Sequence, residues 1–258
     1  MSTMKTVKLF SESLELSVDD RGKGRAFLLL HGGAGPASIA GLAGAISKEE
    51  RAIAPTLPGF AGSSRPDWFR RIDDVALAYL ALLERMDVRD VVVVGNSIGG
   101  WIASEIALRR SPRISSVILL NAVGIDTGSE DKKIVNPADV PPEKRAALSF
   151  YDPKKSPFAN LGPEGLVMMA ANSKALIAYA SQPYMHDPTL RARLSAVDVP
   201  VLLLWGASDK VVDVDYGRRF AESIPGSRME VITEAGHFPQ IEKPEEVLRL
   251  IRDFASSG

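Results

Sequence analysis

The sequence has no cysteine, only three histidines and no surplus of either charge. The missing cysteines exclude disulfides, thiolate nucleophiles and cysteine-bound zinc, and we expect no metal site. The 31 basic residues nearly cancel the 32 acidic ones, which predicts no nucleic-acid partner. If the chemistry of this protein needs an imidazole, it must come from His31, His186 or His237.

Long apolar runs are also missing. No stretch approaches the roughly 20 residues that a membrane-spanning helix needs, and the first ten residues lack the apolar centre of a secretory signal. We therefore expect a cytoplasmic protein without a membrane partner, a monomer or homodimer that acts on a small molecule. With 258 residues, of which 45% are hydrophobic and 24% charged, the chain suits one large domain with an insertion.

Short apolar runs alternate with amphipathic stretches along most of the chain. This alternation favours right-handed crossovers and an α/β fold, with helices on both faces of a doubly wound, mostly parallel sheet. Strands are predicted at 6–10, 14–18, 26–30, 51–54, 91–94, 116–120, 200–205 and 229–233, and helices from 38 and at 72–86, 98–110, 216–224 and 245–254.

Residues 126–188 interrupt this alternation. They are rich in proline, contain helical patterns at 143–150 and 164–178, and show no convincing strand; the charges at 130–133 are typical of a solvated loop. The segment lies between two predicted strands, so it should sit over the carboxyl ends of the sheet, where open α/β sheets bind ligands. We predict a helical cap at 126–188 on a core formed by 1–125 and 189–258.

Residues 95–99 read Gly-Asn-Ser-Ile-Gly and match the G-x-S-x-G nucleophile elbow. Four valines precede the motif and an amphipathic helix is predicted after it, so Ser97 is predicted at a sharp strand-to-helix turn, where flanking glycines leave room for a strained backbone. The N–H of Ile98 would then face developing negative charge. The alternative is a glycine-rich turn with a capping serine.

A catalytic serine needs a base and an acid that orients the base. His237 follows the last predicted strand, and Asp209 follows the strand before it, so both loops open at the same sheet edge. The chain order of serine, aspartate and histidine resembles that of the α/β-hydrolases. Asp126 is a second candidate for the acid, whereas Asp213 and Asp215 are interpreted as capping or surface groups.

The loop 31–36, His-Gly-Gly-Ala-Gly-Pro, follows a buried strand. It matches neither common phosphate-binding glycine motif. Its glycines allow close approach of backbone to a substrate oxygen, and we predict Gly33 as the second oxyanion N–H, with Gly32 or Ala34 as alternatives. The candidate substrate-pocket residues are Gly32, Ala34, Asn96, Met168, Met169, Tyr184 and Phe238.

Together these segments resemble the α/β-hydrolase family over nearly the whole chain, with 57–63 (Leu-Pro-Gly-Phe-Ala-Gly-Ser) as a further matching loop. The resemblance implies an acyl-enzyme mechanism by Ser97, His237 and Asp209, with no cofactor. Serine at the elbow is unlike the haloalkane dehalogenases and epoxide hydrolases, which carry aspartate there.

Within the family the sequence resembles carboxylesterases and the meta-cleavage carbon–carbon bond hydrolases. The latter typically have Met after the nucleophile, Trp after the histidine and a cap arginine, whereas this chain has Ile98, Phe238 and no arginine at 155–184. A carboxylesterase acting on small or medium acyl substrates is therefore predicted first. A carbon–carbon bond hydrolase and a non-catalytic ligand receptor are the alternatives.

Overall fold

Eight strands form one sheet at the centre of the protein. The computed structural model describes residues 3–128, 134–180 and 182–256. The strands are β1 Thr3–Leu9, β2 Leu14–Gly22, β3 Ala26–Leu30, β4 Arg51–Pro55, β5 Val91–Asn96, β6 Ile114–Leu120, β7 Val201–Gly206 and β8 Arg228–Ile232. They lie in the order β1-β2-β4-β3-β5-β6-β7-β8. β2 pairs antiparallel with β1 and with β4, and the other neighbouring strands pair parallel.

Nine α-helices lie in the described part of the chain. They are α1 Ala37–Ile46, α2 Ile72–Arg85, α3 Ile98–Leu108, α4 Pro142–Ser149, α5 Pro163–Ala180, α6 Leu190–Arg193, α7 Val214–Glu222, α8 Pro239–Glu242 and α9 Pro244–Ser256. None of the helices in this part of the chain is long and apolar enough to cross a membrane. The predicted α/β class with a mostly parallel sheet is confirmed.

The core lies on both faces of the sheet, as β5 illustrates. Val91 and Val93 pack in the cluster that contains α2, α3 and α7, whereas Val92 and Val94 pack in the cluster of α1 and α9. A strand buried on both faces reads as a continuous apolar run. Each fully buried valine contributes about 2 kcal/mol by the removal of its side chain from water.

The described residues between β6 and β7 form helices and no strand, apart from one bridge that joins the two ends of this segment. Gly124 forms this isolated bridge with His186, and the N–H of Asp187 donates to the Gly124 oxygen at 2.8 Å. The cap boundaries at 126 and 188 remain predictions. The charged run at 130–133 lies outside the described residues.

A buried ion-pair network holds the second end of this segment against α3. Glu105 of α3 is only 2% exposed and lies 2.7 Å from Arg193 Nη2 and 3.0 Å from Arg109 Nη1. Arg193 Nη2 also lies 2.7 Å from Asp187 Oδ2. A buried carboxylate is tolerated only when it is paired and hydrogen-bonded, so this network fixes where the chain returns to the sheet.

Candidate active site

Ser97 lies in the turn between β5 and α3. Its φ of 56° and ψ of −119° are rare for a residue with a side chain, and such strain costs on the order of 1–3 kcal/mol. A Cβ on Gly95 would lie 2.2 Å from the Gly99 oxygen, and one on Gly99 would lie 2.3 Å from the Leu30 oxygen. The two glycines of the motif are therefore required by backbone contacts that form the turn.

Hydrogen bonds hold this turn against β6. The Ser97 N–H donates to the Leu120 oxygen at 3.0 Å, and the Ser97 oxygen accepts the N–H groups of Gly100 and Val123 at 2.9 and 3.2 Å. Ile98 is the first residue of α3, so its N–H has no acceptor one helical turn earlier. The positive end of the α3 dipole therefore lies next to Ser97.

His237 and Asp209 are hydrogen-bonded across the carboxyl ends of β7 and β8. His237 Nδ1 lies 2.8 Å from Asp209 Oδ2, and each residue is only 5% exposed. Asp209 Oδ1 accepts the N–H groups of Val211 and Val212 at 2.7 and 3.2 Å. Because a carboxylate only accepts, the His237 Nδ1 carries the hydrogen, which leaves Nε2 as the acceptor nitrogen.

Asn121 also holds this carboxylate, and sequence reasoning missed it. Its Nδ2 donates to Asp209 Oδ2 at 2.7 Å, while its Oδ1 accepts the N–H of Gly206 at 3.1 Å. The residue directly follows β6, so a polar side chain at the carboxyl end of a buried strand was the available signal. Asn121 fixes the acid in the orientation that faces the histidine.

Asn96 links the serine turn to the histidine loop. Its Nδ2 donates to the His237 oxygen at 3.0 Å and to the Leu120 oxygen at 3.1 Å, and the side chain is fully buried. The structure therefore brings the loops of Ser97, Asp209 and His237 to one edge of the sheet. The amide nitrogen of Asn96, a predicted pocket residue, is engaged with backbone.

His31 has a structural environment. Its Nε2 accepts the Leu57 N–H at 3.0 Å, and its Nδ1 lies 2.8 Å from the Gly32 oxygen. Burial lowers the pKa of His31 to about 4, from its ordinary 6.5. The neutral ring therefore joins two loops, and both of its nitrogens are occupied.

The remaining candidates from the sequence lie in other environments. His186 forms the bridge with Gly124, and its Nδ1 is 3.0 Å from the Tyr184 oxygen. Asp126 is exposed and accepts the N–H of Gly128 at 3.0 Å. Asp213 caps α7 by accepting the Tyr216 N–H at 2.7 Å, and Asp215 pairs with Arg218 at 2.7 Å. Of the acids considered, Asp209 is the one that contacts His237.

The loop 31–36 lies between Ser97 and α5. A Cβ on Gly32 would lie 2.8 Å from Asn96 Oδ1 and 3.3 Å from the Ser97 Cβ, and one on Gly33 would lie 2.8 Å from Leu176 Cδ2 of α5. The Gly32 N–H donates to Ser38 Oγ at 3.3 Å. Within residues 3–128, 134–180 and 182–256, the N–H of Gly33 donates no hydrogen bond.

Asn172 of α5 holds this loop from above, and sequence reasoning missed it as well. Its Nδ2 donates to the Ala34 oxygen at 3.1 Å, and its Oδ1 accepts the Ala61 N–H at 2.9 Å. The side chain is 2% exposed. A pattern that marks only an amphipathic helix cannot reveal which polar residue on it faces a backbone.

The other predicted pocket residues differ in exposure. Met168 is 42% exposed, Met169 is half-buried, and the half-buried Tyr184 donates its hydroxyl to Asn136 Oδ1 at 3.1 Å. Burial raises the pKa of the Tyr184 hydroxyl to about 12. Phe238 is buried beside His237, with 5.3 Å between the ring centres. Their part in a substrate pocket remains a prediction.

Three aromatic rings pack together where the histidine loop meets residues 150–158. Phe238 stacks on Phe150 with ring centres 5.3 Å apart, and Phe158 lies 5.8 Å from Phe238. Aromatic pairs at such distances contribute about 0.5–1.5 kcal/mol in addition to the effect of the area that they bury.

Among the described residues, no group of three His, Asp or Glu side chains could hold a metal ion.

The sheet order, the strained serine turn and the buried histidine–aspartate pair define an α/β protein with the layout of a hydrolase. Residues 27–250 match the model of the alpha/beta hydrolase family, and the chain belongs to that family. Hydrolase activity is the general function that this membership supports.

Similar proteins include some that are named meta-cleavage product hydrolases and one that is named an esterase. The chain is 25% identical to a 2-hydroxymuconate semialdehyde hydrolase of Pseudomonas putida, over 97% of this chain and 94% of that protein. A serine hydrolase involved in carbazole degradation has a TM-score of 0.79 at 21% identity, with both chains covered in full. A membrane phospholipase A has a TM-score of 0.81 at 23% identity and covers 99% of this chain and 86% of its own.

Proposed function

We propose that this protein is a serine hydrolase in which Ser97 is the nucleophile, His237 the general base and Asp209 the acid that orients it. The observation that carries the proposal is the 2.8 Å bond between His237 Nδ1 and Asp209 Oδ2 at the sheet edge where Ser97 turns into α3. This bond holds the ring in one tautomer and stabilises the imidazolium that forms when the serine is deprotonated.

The proposed reaction uses these three residues in turn. His237 Nε2 takes the proton of Ser97 Oγ as the oxygen attacks the substrate carbonyl carbon. The N–H groups of Ile98 and Gly33 bind the resulting oxyanion; removing one such donor typically costs about 100- to 1000-fold in rate. The intermediate collapses, the leaving alcohol takes the proton from His237, and an acyl-enzyme remains. His237 then activates a water molecule that releases the acid and restores Ser97.

Carboxylic esters with small or medium acyl groups are the proposed substrates. The sequence between 155 and 184 has no arginine to bind a substrate carboxylate, and Phe238 replaces the tryptophan that follows the histidine in the carbon–carbon bond hydrolases. Leu176 lies directly over Gly33, beside the proposed oxyanion position. An apolar side chain at this place suits an acyl chain better than a charged group.

A meta-cleavage carbon–carbon bond hydrolase is the second candidate. It is favoured by the relatives named 2-hydroxymuconate semialdehyde hydrolase and 2-hydroxy-6-oxo-2,4-heptadienoate hydrolase, which are 25% and 26% identical to this chain. The same three residues would serve this reaction, because it also passes through attack on a carbonyl. The two candidates differ in the leaving group, which is an alcohol in one and a carbon fragment in the other.

One panel of substrates and variants tests the proposal. Wild type is assayed with p-nitrophenyl esters of increasing acyl length and with a 2-hydroxy-6-oxo-dienoate. Ser97→Ala, His237→Gln and Asp209→Asn should each lower kcat by at least about ten-thousand-fold. The matched controls Ser104→Ala and His186→Gln change other buried or half-buried groups of the same kinds and should retain activity within a few-fold.

The outcomes separate the hypotheses. Ester turnover that is lost in Ser97→Ala supports the esterase, and turnover of the dienoate that exceeds ester turnover favours the second candidate. Ester turnover that persists in Ser97→Ala overturns the mechanism. A wild-type protein that turns over neither class of substrate, but binds one of them, is the receptor.

A further inference from the structure

Glu242 is a buried carboxylate at the end of α8, outside the three proposed catalytic residues. It is 4% exposed, and both oxygens accept hydrogen bonds from backbone. Its Oε2 accepts the Gly236 N–H at 2.7 Å and the Tyr151 N–H at 3.2 Å, and its Oε1 accepts the Asp152 N–H at 3.0 Å. Among the described residues it forms no ion pair with a basic side chain. Its buried oxygens are satisfied by these three N–H groups.

The donors belong to two segments that lie far apart in the sequence. Gly236 directly precedes His237, whereas Tyr151 and Asp152 belong to residues 148–152, a segment that we name the strap. The strap also bonds the two loops of the proposed base and acid. Its Ser149 oxygen accepts the His237 N–H at 2.7 Å, and its Leu148 oxygen accepts the Lys210 N–H at 3.1 Å.

The histidine loop and the strap are in backbone contact. A Cβ on Gly236 would lie 2.5 Å from the Ser149 oxygen and 2.9 Å from the Phe150 Cα. Only a glycine allows this approach without movement of backbone. Glu242 lies across the contact and bonds both sides, so its two oxygens add to the direct bond between His237 and Ser149 in holding the histidine loop on the strap.

We propose that Glu242 is a positioning residue for His237: it fastens the histidine loop to the strap and so keeps the imidazole aligned with Asp209 and Ser97. This inference rests on the proposed serine hydrolase function. Without Glu242, the Gly236 N–H loses its acceptor and the loop that carries His237 is held on fewer bonds. Misplacement of a catalytic group by about 1 Å can cost about 100-fold in rate.

Two substitutions separate the shape of Glu242 from its hydrogen bonds. Glu242→Gln keeps the shape but offers one acceptor oxygen, which can serve Gly236 and Tyr151 while its NH₂ group faces the Asp152 N–H. Glu242→Met fills the same space and accepts none of the three bonds. We expect kcat for a p-nitrophenyl ester to fall about tenfold in the first variant and about 100-fold in the second, with KM within threefold of wild type.

The control is Asp20→Asn, which also changes a buried carboxylate to an amide. Asp20 is 8% exposed and lies 2.9 Å from Arg51 Nε and 2.7 Å from Lys5 Nζ, on β2 at the other end of the sheet. This variant should lower the melting temperature and leave kcat unchanged. A drop in kcat shared by Asp20→Asn would mean that general destabilisation causes the effect.

A spectroscopic signature reports the alignment directly. The proton between His237 Nδ1 and Asp209 should give a downfield imidazole resonance in the proton NMR spectrum, identified by its absence in His237→Gln. We expect it to broaden or disappear in Glu242→Met at temperatures where the variant is folded, and to persist in Asp20→Asn. Because Glu242→Gln preserves most contacts, it tests the inference even if Glu242→Met does not fold.

The inference and the proposed function fail in different ways. Turnover that persists in Ser97→Ala overturns the function. Loss of turnover in Ser97→Ala, together with wild-type kcat and an unchanged downfield resonance in Glu242→Gln, overturns the positioning role alone.

Discussion

His31 should make the folded protein less stable at acidic pH. Its Nε2 accepts the Leu57 N–H at 3.0 Å, so a proton on this nitrogen would face another donor. Burial lowers the pKa of His31 to about 4, whereas an unfolded chain would keep the ordinary value of 6.5. Acidification therefore protonates the unfolded state first and favours unfolding.

The size of the effect follows from the two pKa values. Between them the unfolded state binds a proton that the folded state does not, so stability falls as the pH falls from 6.5 towards 4. The expected loss at about pH 4.5 is about 2.5 kcal/mol, and at pH 7 it is close to zero. A loss of this size is a large part of the 5–15 kcal/mol that stabilises a typical domain.

The assay is urea unfolding of wild type and His31→Gln at about pH 7 and about pH 4.5. Glutamine does not titrate in this range, and its Oε1 can accept the Leu57 N–H in place of Nε2. Because all other groups titrate in both proteins, the difference of differences isolates His31. Wild type should lose about 2.5 kcal/mol more than the variant on acidification. An equal loss in both proteins would refute the reasoning.

Three further changes test other contacts. A methyl group at Gly32 would press on the side-chain oxygen of Asn96, whose amide nitrogen donates two hydrogen bonds. Gly32→Ala should therefore lower kcat for p-nitrophenyl acetate at least about tenfold. A wild-type kcat in this variant would contradict the prediction. Asn172→Ala removes two hydrogen bonds to backbone and should cost about 1–3 kcal/mol in urea unfolding. The Arg51 guanidinium lowers the pKa of Asp20 below its ordinary value of 3.8. The destabilisation by Asp20→Asn should therefore be present above pH 3.8 and diminish below it. An equal loss of stability at about pH 7 and at about pH 3 would contradict the ion pair.

The sequence predicts the layout of the site because parallel strands present their following loops at one edge. Ser97, Asp209 and His237 come directly after β5, near the end of β7 and after β8, and the structure brings their loops to the same edge. Apolar runs also locate the strands well, because a strand buried on both faces has a continuous hydrophobic sequence. The helices α4, α5 and α9 each begin at a proline, one residue before the predicted start, because proline fits the first turn of a helix.

Asn172 and Glu242, unlike Asn121, were missed by sequence reasoning for one shared physical reason. Asn172 and Glu242 bond backbone atoms that are about 90 to 138 residues away in the chain. Backbone groups are the same at every position, so no sequence pattern marks the partner of such a side chain. The helices α6 and α8 have four residues each, too few for a periodic pattern to appear.

Hydrophobic patterning also fails on α5 for a physical reason. Leu166, Val167 and Met168 are apolar and exposed, whereas the polar Asn172 of the same helix is buried. A helix that covers a loop buries whichever residues meet that loop, and the free N–H and C=O groups of a loop demand a polar partner. Burial on this helix thus follows hydrogen-bonding need as well as hydrophobicity.

For the proposed hydrolase, these contacts predict which part of the protein determines substrate preference. The loops of Asp209 and His237 and the serine turn are fixed by bonds to backbone from Asn96, Asn121 and Glu242, and these bonds leave their geometry little freedom. By contrast, Gly33 in the loop 31–36 faces Leu176, which is a flexible apolar side chain that no hydrogen bond can hold in place. The proposed chemistry and the substrate preference would then depend on different parts of the molecule. We expect the fixed loops to set the reaction, and the face of α5 over residues 31–36 to set which acyl group fits.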